Sequence, residues 1–182
     1  MRRDRPQGPS PSVAEPRRFL LLAVRSFVRA ASVCPGVQRI ALMGSLATDK
    51  AIPKDADVLI TIDGDMELAK LAQISRRLQG TAQTINLGAD IFLADKEGRY
   101  IGRICHYREC HPRAACRAQH CGSRPHLNDD LHVVTLLKDL IAAPPADLWP
   151  KVIRRQKMPS DVEALLLSSL EPNNNAQGEQ IF

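Results

Sequence analysis

The sequence predicts a mixed α/β domain, built around a mixed sheet of the α+β type. Two patterns lead to this expectation. Apolar residues recur at helical spacing from Arg17 to about Val33, whereas short apolar runs such as Val58–Ile62 are rich in β-branched residues and bounded by turn residues. The chain has 182 residues, close to the size of one domain, and 44% of them are apolar. Because only 4% are aromatic, we expect one principal core of aliphatic side chains.

The first half of the chain predicts alternating helices and strands. In order, we expect a helix over Arg17–Val33, a strand over Val37–Met43, a buried strand over Val58–Ile62 and a helix over Met66–Leu78. Pro35-Gly36 ends the first helix, and Gly80 provides a stop for the second.

The second half predicts further strands and two more helices. Thr84–Leu87 and Ala89–Ala94 are apolar stretches separated by Gly88, so they form either one bent strand or two. Tyr100–Ile104 predicts another strand. We then expect a helix from Asn128 or Asp129 through Leu140, ended by Pro144-Pro145, and a short final helix over Asp161–Leu170.

Composition divides the chain into segments. Residues 1–15 and 171–182 hold few apolar side chains, and we expect them to be disordered tails. Residues 16–104 hold the predicted core, residues 105–126 are rich in Cys and His, and residues 127–170 form the expected C-terminal helices.

Charge and hydropathy limit the classes of partner. The net charge is +5, which favours polyanions such as nucleotides or nucleic acids, although many basic proteins bind neither. The apolar run Phe19–Val24 is interrupted by Arg25 and Arg29, so it is too short to span a bilayer or to form a signal-peptide core. We therefore expect a cytoplasmic protein with no membrane partner.

A group of carboxylates predicts a site for divalent cations. Asp55 and Asp57 are separated by one residue, so both side chains leave the same face of an extended segment. The rigid strand that follows supports them, and Asp90 opens a second apolar run that would bring a third carboxylate. Upstream, Gly44 allows the backbone to approach a phosphate, and the hydroxyl of Ser45 can bond its oxygens.

The Gly44-Ser45 pair, the Asp55-Ala56-Asp57 motif and Asp90, in this order, resemble the nucleotidyltransferase signature of the DNA polymerase beta superfamily, in particular its minimal branch. The resemblance covers residues 17–95. It implies that Gly44 and Ser45 hold the β and γ phosphates of a nucleoside triphosphate such as ATP, and that Asp55 and Asp57 ligate two Mg²⁺ ions while Asp90 completes one of those sites. The implied reaction transfers a nucleotide to an acceptor hydroxyl and releases pyrophosphate. Asp90 could reach that hydroxyl as well as the metal and help to remove its proton.

Each part of the motif also has an ordinary explanation. Gly-Ser turns are common, Asp55 suits a turn after Pro53-Lys54, and Asp90 suits the start of a strand. The three parts together, followed by apolar strands, favour the transferase site. Lys50 and Lys54 lie in the intervening loop, where they are either solvated or contact a triphosphate as point charges.

The Cys-rich segment predicts a structural zinc site. Its proposed ligands are four thiolates, of Cys105, Cys110, Cys116 and Cys121, which together would close a tetrahedral Zn²⁺ site. A histidine could replace one of them, the candidates being His106, His111, His120 and His126. The alternative is a reduced basic loop with scattered thiols. Arginines beside the thiols, namely Arg103, Arg108, Arg113, Arg117 and Arg124, suit either phosphate contacts or solvation.

A rival from another class is a catalytically silent, zinc-containing protein that binds nucleic acid or acts as a regulator, as in a toxin–antitoxin pair. The motif does not identify the acceptor, which is a nucleic acid, a protein or a small molecule. It also leaves open whether a second copy or a partner protein completes the cleft.

Overall fold

A computed structural model describes residues 14–107, 124–128, 131 and 133–172. Within these residues the strands are β1 Val37–Met43, β2 Asp55–Ile62, β3 Gly88–Ala94, β4 Tyr100–Ile104, β5 Leu127–Asn128, β6 Ala146–Trp149 and β7 Ile153–Arg154. The helices are α1 Ala14–Ala31, α2 Ala69–Gln83, α3 Lys138–Ala142, α4 Ser160–Val162 and α5 Ser168–Leu170, with a 3₁₀ helix at Ser45–Ala47 and a π-helix at Glu163–Leu167. Because α4, the π-helix and α5 follow one another without a gap, we call them together the terminal helix.

The strands form one mixed sheet in the order β5-β4-β3-β2-β1-β6-β7. Its central pair, β2 and β3, is parallel, and the other neighbouring pairs are antiparallel. The parallel pair requires a crossover, which α2 supplies between β2 and β3. The mixed α/β class that the sequence predicts is confirmed.

One face of the sheet carries the main core. The apolar sides of α1, α2 and the terminal helix pack there against alternate residues of β2, which include Val58 and Ile60. The opposite face has a smaller apolar cluster, formed by Ala41, Met43, Leu59, Phe92, Ala94 and Ile141. Because side chains alternate along a strand, Asp55 and Asp57 lie on this second face with Leu59.

The helix expected from Asn128 or Asp129 through Leu140 is wrong. Leu127–Asn128 is a strand paired with β4, and helical structure begins only at Lys138. Between them, Val134 and Leu136 pack on the second apolar cluster while Leu137 is exposed. This alternation has the period of an extended chain, so packing against the sheet overrides the helical spacing of the leucines.

Other boundaries also differ from the expectation. Helix α2 passes through Gly80 and ends at Gln83, so the glycine is not its stop. Thr84–Leu87 is a turn, and a single strand, β3, begins at Gly88. Strands β6 and β7 lie in a region where only helices were expected. No helix among the described residues is both long and apolar enough to cross a membrane.

Candidate active site

The strand register brings the predicted carboxylates to one end of the sheet. Asp57 in β2 is paired with Asp90 in β3, and Asp55 is paired with Gly88. On the other side of β2, Asp57 is paired with Met43, the last residue of β1. Gly44 and the 3₁₀ helix Ser45–Ala47 follow at once, and we call them the Gly-Ser turn. The four predicted positions Gly44, Asp55, Asp57 and Asp90 therefore meet at this end.

Gly44 packs directly on the carboxylate of Asp57. Its backbone has φ 66° and ψ −159°, a region that is essentially restricted to glycine. A Cβ at this position would lie 1.9 Å from Oδ2 of Asp57 and 2.7 Å from its Cγ. Glycine is thus required here for two reasons, its backbone conformation and its close approach to Asp57.

Gly88 has a similar relation to Asp55, which the sequence pattern does not predict. A Cβ on Gly88 would lie 2.2 Å from Oδ1 of Asp55. In the sequence Gly88 indicates only a break between two apolar stretches, because its proximity to Asp55 depends on the strand register. The carboxylates of Asp55 and Asp57 thus lie against different neighbouring strands, Asp55 against β3 and Asp57 against the end of β1.

Negative charge accumulates around Asp57. Burial, followed by the nearby carboxylates of Asp90 and Asp55, raises the pKa of Asp57 from 3.8 to about 6, although the charge of Arg103 partly offsets this. A divalent cation bound beside these groups would relieve their repulsion. The electrostatics are therefore those expected at a site for a hard cation with oxygen ligands.

Asp90 is held by two donors from β4 and the residues after it. Arg103 donates from Nη1 to Oδ1 at 2.9 Å, and Nε2 of His106 lies 3.2 Å from the same oxygen. The guanidinium also lies 5.9 Å from the centroid of the Phe92 ring. Burial acts to raise the pKa of Asp90, but the hydrogen bond from His106 and the charge of Arg103 outweigh it and lower the pKa. Asp90 is consequently ionised at neutral pH.

The donor set matches the chemistry of Mg²⁺, because three carboxylates lie on one face within a region of accumulated negative charge. Among the described residues, however, no three His, Cys, Asp or Glu side chains are close enough together to hold a metal ion. The positions of the side chains explain this separation. Asp55 and Asp57 lie against different glycines, and Asp90 is bonded to Arg103. A cation shared by all three carboxylates would therefore require them to turn toward a common point.

The predicted zinc ligands are only partly within the described residues. Cys105 is half-buried, and its backbone N–H donates to the carbonyl of His126 at 2.9 Å. Cys110, Cys116 and Cys121 lie outside the described residues. Both described histidines have other neighbours, since His106 faces Asp90 and Nδ1 of His126 lies 3.0 Å from Nη2 of Arg76. Zinc binding stays a prediction.

Lys50 and Lys54 are exposed in the loop that follows the Gly-Ser turn. Their carbonyls anchor this loop, because the carbonyl of Lys54 accepts a bond from the N–H of Gly88 at 3.1 Å. Their side chains are thus available to a triphosphate or to solvent.

A surface hollow of about 650 Å³ lies elsewhere on the described part of the chain. It is lined by residues that include Gly36, Asp63 and Lys96. Asp63 directly follows the last residue of β2, whereas Asp55 is the first residue of that strand. The hollow is therefore at the opposite end of β2 from the carboxylates.

Comparison with family models, with curated proteins and with solved structures gave no match to this chain.

Proposed function

We propose that this chain is a Mg²⁺-dependent nucleotidyltransferase with the minimal fold of the DNA polymerase beta superfamily. The observation that supports the proposal most directly is the pairing of Asp57 with Asp90 in parallel register, with Asp55 on the same face. Gly44 also supports the proposal, because without a side chain it brings the backbone of the Gly-Ser turn directly beside the carboxylate of Asp57.

Each residue has a separate role in the proposed reaction. Asp55 and Asp57 would hold two Mg²⁺ ions, and Asp90 would complete one of the sites. Bound Mg²⁺ would polarise the α phosphate and stabilise the attacking and leaving oxygens. Because its pKa is lowered, we assign Asp90 as a ligand and not as the proton acceptor.

The Gly-Ser turn would bind the triphosphate. The first residue of a 3₁₀ helix has an N–H group without an acceptor inside the helix, so that of Ser45, which is only half-buried, can donate to a phosphate oxygen. The hydroxyl of Ser45 can donate another bond. Lys50 and Lys54, both exposed, carry charge of the sign that neutralises a triphosphate.

The bond changes follow from these positions. The oxygen of the acceptor hydroxyl attacks the α phosphorus and loses its proton to solvent. The bond from the α phosphorus to the oxygen that bridges to the β phosphate breaks, and pyrophosphate leaves with that electron pair. The acceptor, whether nucleic acid, protein or small molecule, ends with one nucleoside monophosphate attached.

The test is transfer of an α-labelled nucleotide in the presence of Mg²⁺ and cell extract. Asp55→Asn and Asp57→Asn should each lower transfer by at least about a hundredfold, because each removes a charged metal ligand. Asp49→Asn is the matched control, since Asp49 is an exposed carboxylate in the adjacent loop. Full Mg²⁺-dependent activity in the Asp55 and Asp57 variants would refute the proposed roles.

A second candidate is a catalytically silent nucleic-acid-binding or regulatory protein that contains zinc. The ion pair between Arg103 and Asp90 favours it, because a guanidinium already neutralises one of the proposed metal ligands. This candidate predicts no label on any acceptor, salt-dependent binding of nucleic acid, and zinc in the purified protein by elemental analysis.

A further inference from the structure

A buried arginine near the start of α1 contacts the Gly-Ser turn from within the protein. Arg17 is only 7% exposed. Its Nη2 donates to the carbonyl of Leu46 at 3.1 Å, and its Nη1 donates to the carbonyl of Lys50 at 2.9 Å. One planar guanidinium thus binds the turn at Leu46 and the loop that follows it at Lys50, four residues further along.

The same guanidinium is anchored on its other side by the terminal helix. Nε of Arg17 donates to Oδ2 of Asp161 at 2.5 Å, and Nη2 donates to Oδ1 at 3.2 Å. Asp161 lies in the first turn of that helix and also accepts a bond from the N–H of Val162 at 2.9 Å. This two-point pairing fixes the direction in which the guanidinium faces the turn.

These contacts hold the inner side of the turn and leave its outer side open. Leu46 and Ala47 are buried, whereas Gly44 and Thr48 are exposed. A third donor, Nε2 of Gln156, lies 3.4 Å from the carbonyl of Ala47. The carbonyls on the inner side are therefore bonded to side chains from α1 and from the segment that precedes the terminal helix.

We propose that Arg17 is a positioning residue for the Gly-Ser turn, and that through Asp161 it makes triphosphate binding depend on the docked terminal helix. This inference rests on the proposed function, in which that turn binds the phosphates. A purely structural role for Arg17 would lower the stability of the fold without a selective effect on triphosphate binding.

The experiment compares two variants of this pair. Arg17→Lys keeps the charge, but an ammonium cannot span both carbonyls and the carboxylate with fixed geometry. Asp161→Asn keeps both bonds from Arg17, to the carbonyls of Leu46 and Lys50, and weakens only the anchor of the guanidinium. Arg18→Gln is the matched surface control, because Arg18 is exposed at the next position. Ile62→Val, a buried residue at the far end of β2, is the control for stability alone.

Two properties are measured on the full chain. One is the affinity for inorganic tripolyphosphate with Mg²⁺, by titration calorimetry, and the other is amide hydrogen exchange over residues 44–50. Arg17→Lys should weaken tripolyphosphate binding roughly ten- to a hundredfold and speed exchange in the turn, with a smaller effect for Asp161→Asn. In the transfer assay, KM for the triphosphate should rise more than kcat falls.

The inference is wrong if Arg17→Lys binds tripolyphosphate as tightly as the wild type, or if Ile62→Val weakens binding equally. If the wild type neither binds tripolyphosphate nor transfers nucleotide, the proposed function fails. Hydrogen exchange then still decides the positioning role, because faster exchange over residues 44–50 in Arg17→Lys supports it and unchanged exchange refutes it.

Discussion

Replacing Gly44 with alanine tests the geometry of the site in the absence of any ligand. The residue has φ 66° and ψ −159°, and a Cβ would lie 1.9 Å from Oδ2 of Asp57 and 3.0 Å from its Cβ. The substitution therefore meets two separate obstacles, one in the backbone and one in the Asp57 side chain.

The two obstacles differ in size. Holding a non-glycine residue in this backbone region costs about 1–3 kcal/mol. Turning the carboxylate of Asp57 away from its preferred rotamer costs about another 0.5–1.5 kcal/mol. We expect Gly44→Ala to lower the free energy of unfolding by about 2–4 kcal/mol.

Two other glycines provide matched controls. A Cβ on Gly88 would meet only the end of the Asp55 side chain, at 2.2 Å from Oδ1. Adding Asp55→Ala should therefore fully remove the loss of stability that Gly88→Ala causes. By contrast, adding Asp57→Ala should restore only part of the stability lost in Gly44→Ala, because the backbone strain at position 44 remains. Gly80 lies inside α2 with no heavy atom within 4 Å of an added Cβ, and Gly80→Ala should stabilise by about 0.5–1 kcal/mol.

The assay is urea denaturation followed by circular dichroism, in buffer with a chelator, for the single variants and the two double variants. An unfolding free energy of Gly44→Ala equal to that of the wild type would refute the described turn conformation. If Asp57→Ala restored all of the stability lost in Gly44→Ala, backbone strain at position 44 would be refuted.

Three further predictions concern charge. Because the pKa of Asp57 is raised from 3.8 to about 6, its ionisation opposes folding, so Asp57→Asn should stabilise the metal-free protein above pH 6. Solvent screening limits the gain in unfolding free energy to about 1–2 kcal/mol, and the gain should fade as the pH falls below 6. A gain that stays constant when urea denaturation is repeated across this pH range would contradict the prediction. Asp147 is 5% exposed and accepts hydrogen bonds of 2.6 Å from both Arg39 and Arg155. Asp147→Asn should therefore lower the free energy of unfolding by about 2–4 kcal/mol in the same assay, and a loss under about 0.5 kcal/mol would contradict this expectation. Arg103→Gln removes the guanidinium that would compete with Mg²⁺ for Asp90. Titration calorimetry should then find Mg²⁺ bound up to about fivefold more tightly, whereas weaker binding would show that Arg103 supports the site.

Strands β1 to β4 and the carboxylates could be predicted because their signals are local. The alternation of side chains along β2 places Asp55 and Asp57 on one face whatever the rest of the chain does. The apolar run after Asp90 predicts a strand in the same way. The proximity of Gly88 to Asp55 could not be predicted, since it depends on the register between β2 and β3.

The region after the Cys-rich segment was predicted less well for the same reason. The spacing of Val134 and Leu137 suits a helix, but packing on the sheet selects an extended chain in which Leu137 is exposed. Strand β6 is only four residues long and is stabilised by its pairing with β1, far away in the chain. The burial of Arg17 could not be predicted either. In the sequence it has the pattern of a solvated residue on an amphipathic helix, and its acceptors, on Leu46 and Asp161, lie far from it along the chain.

Transfer from a pair of differently labelled triphosphates tests the central claim most directly. Wild-type protein is incubated with extract and Mg²⁺, once with the label on the α phosphate and once with the label on the γ phosphate, and again with excess chelator. Nucleotidyl transfer predicts that the α label appears on the acceptor, that the γ label appears in pyrophosphate, and that the chelator abolishes both. A γ label on the acceptor, or the absence of α label from every component of the extract, would contradict the account.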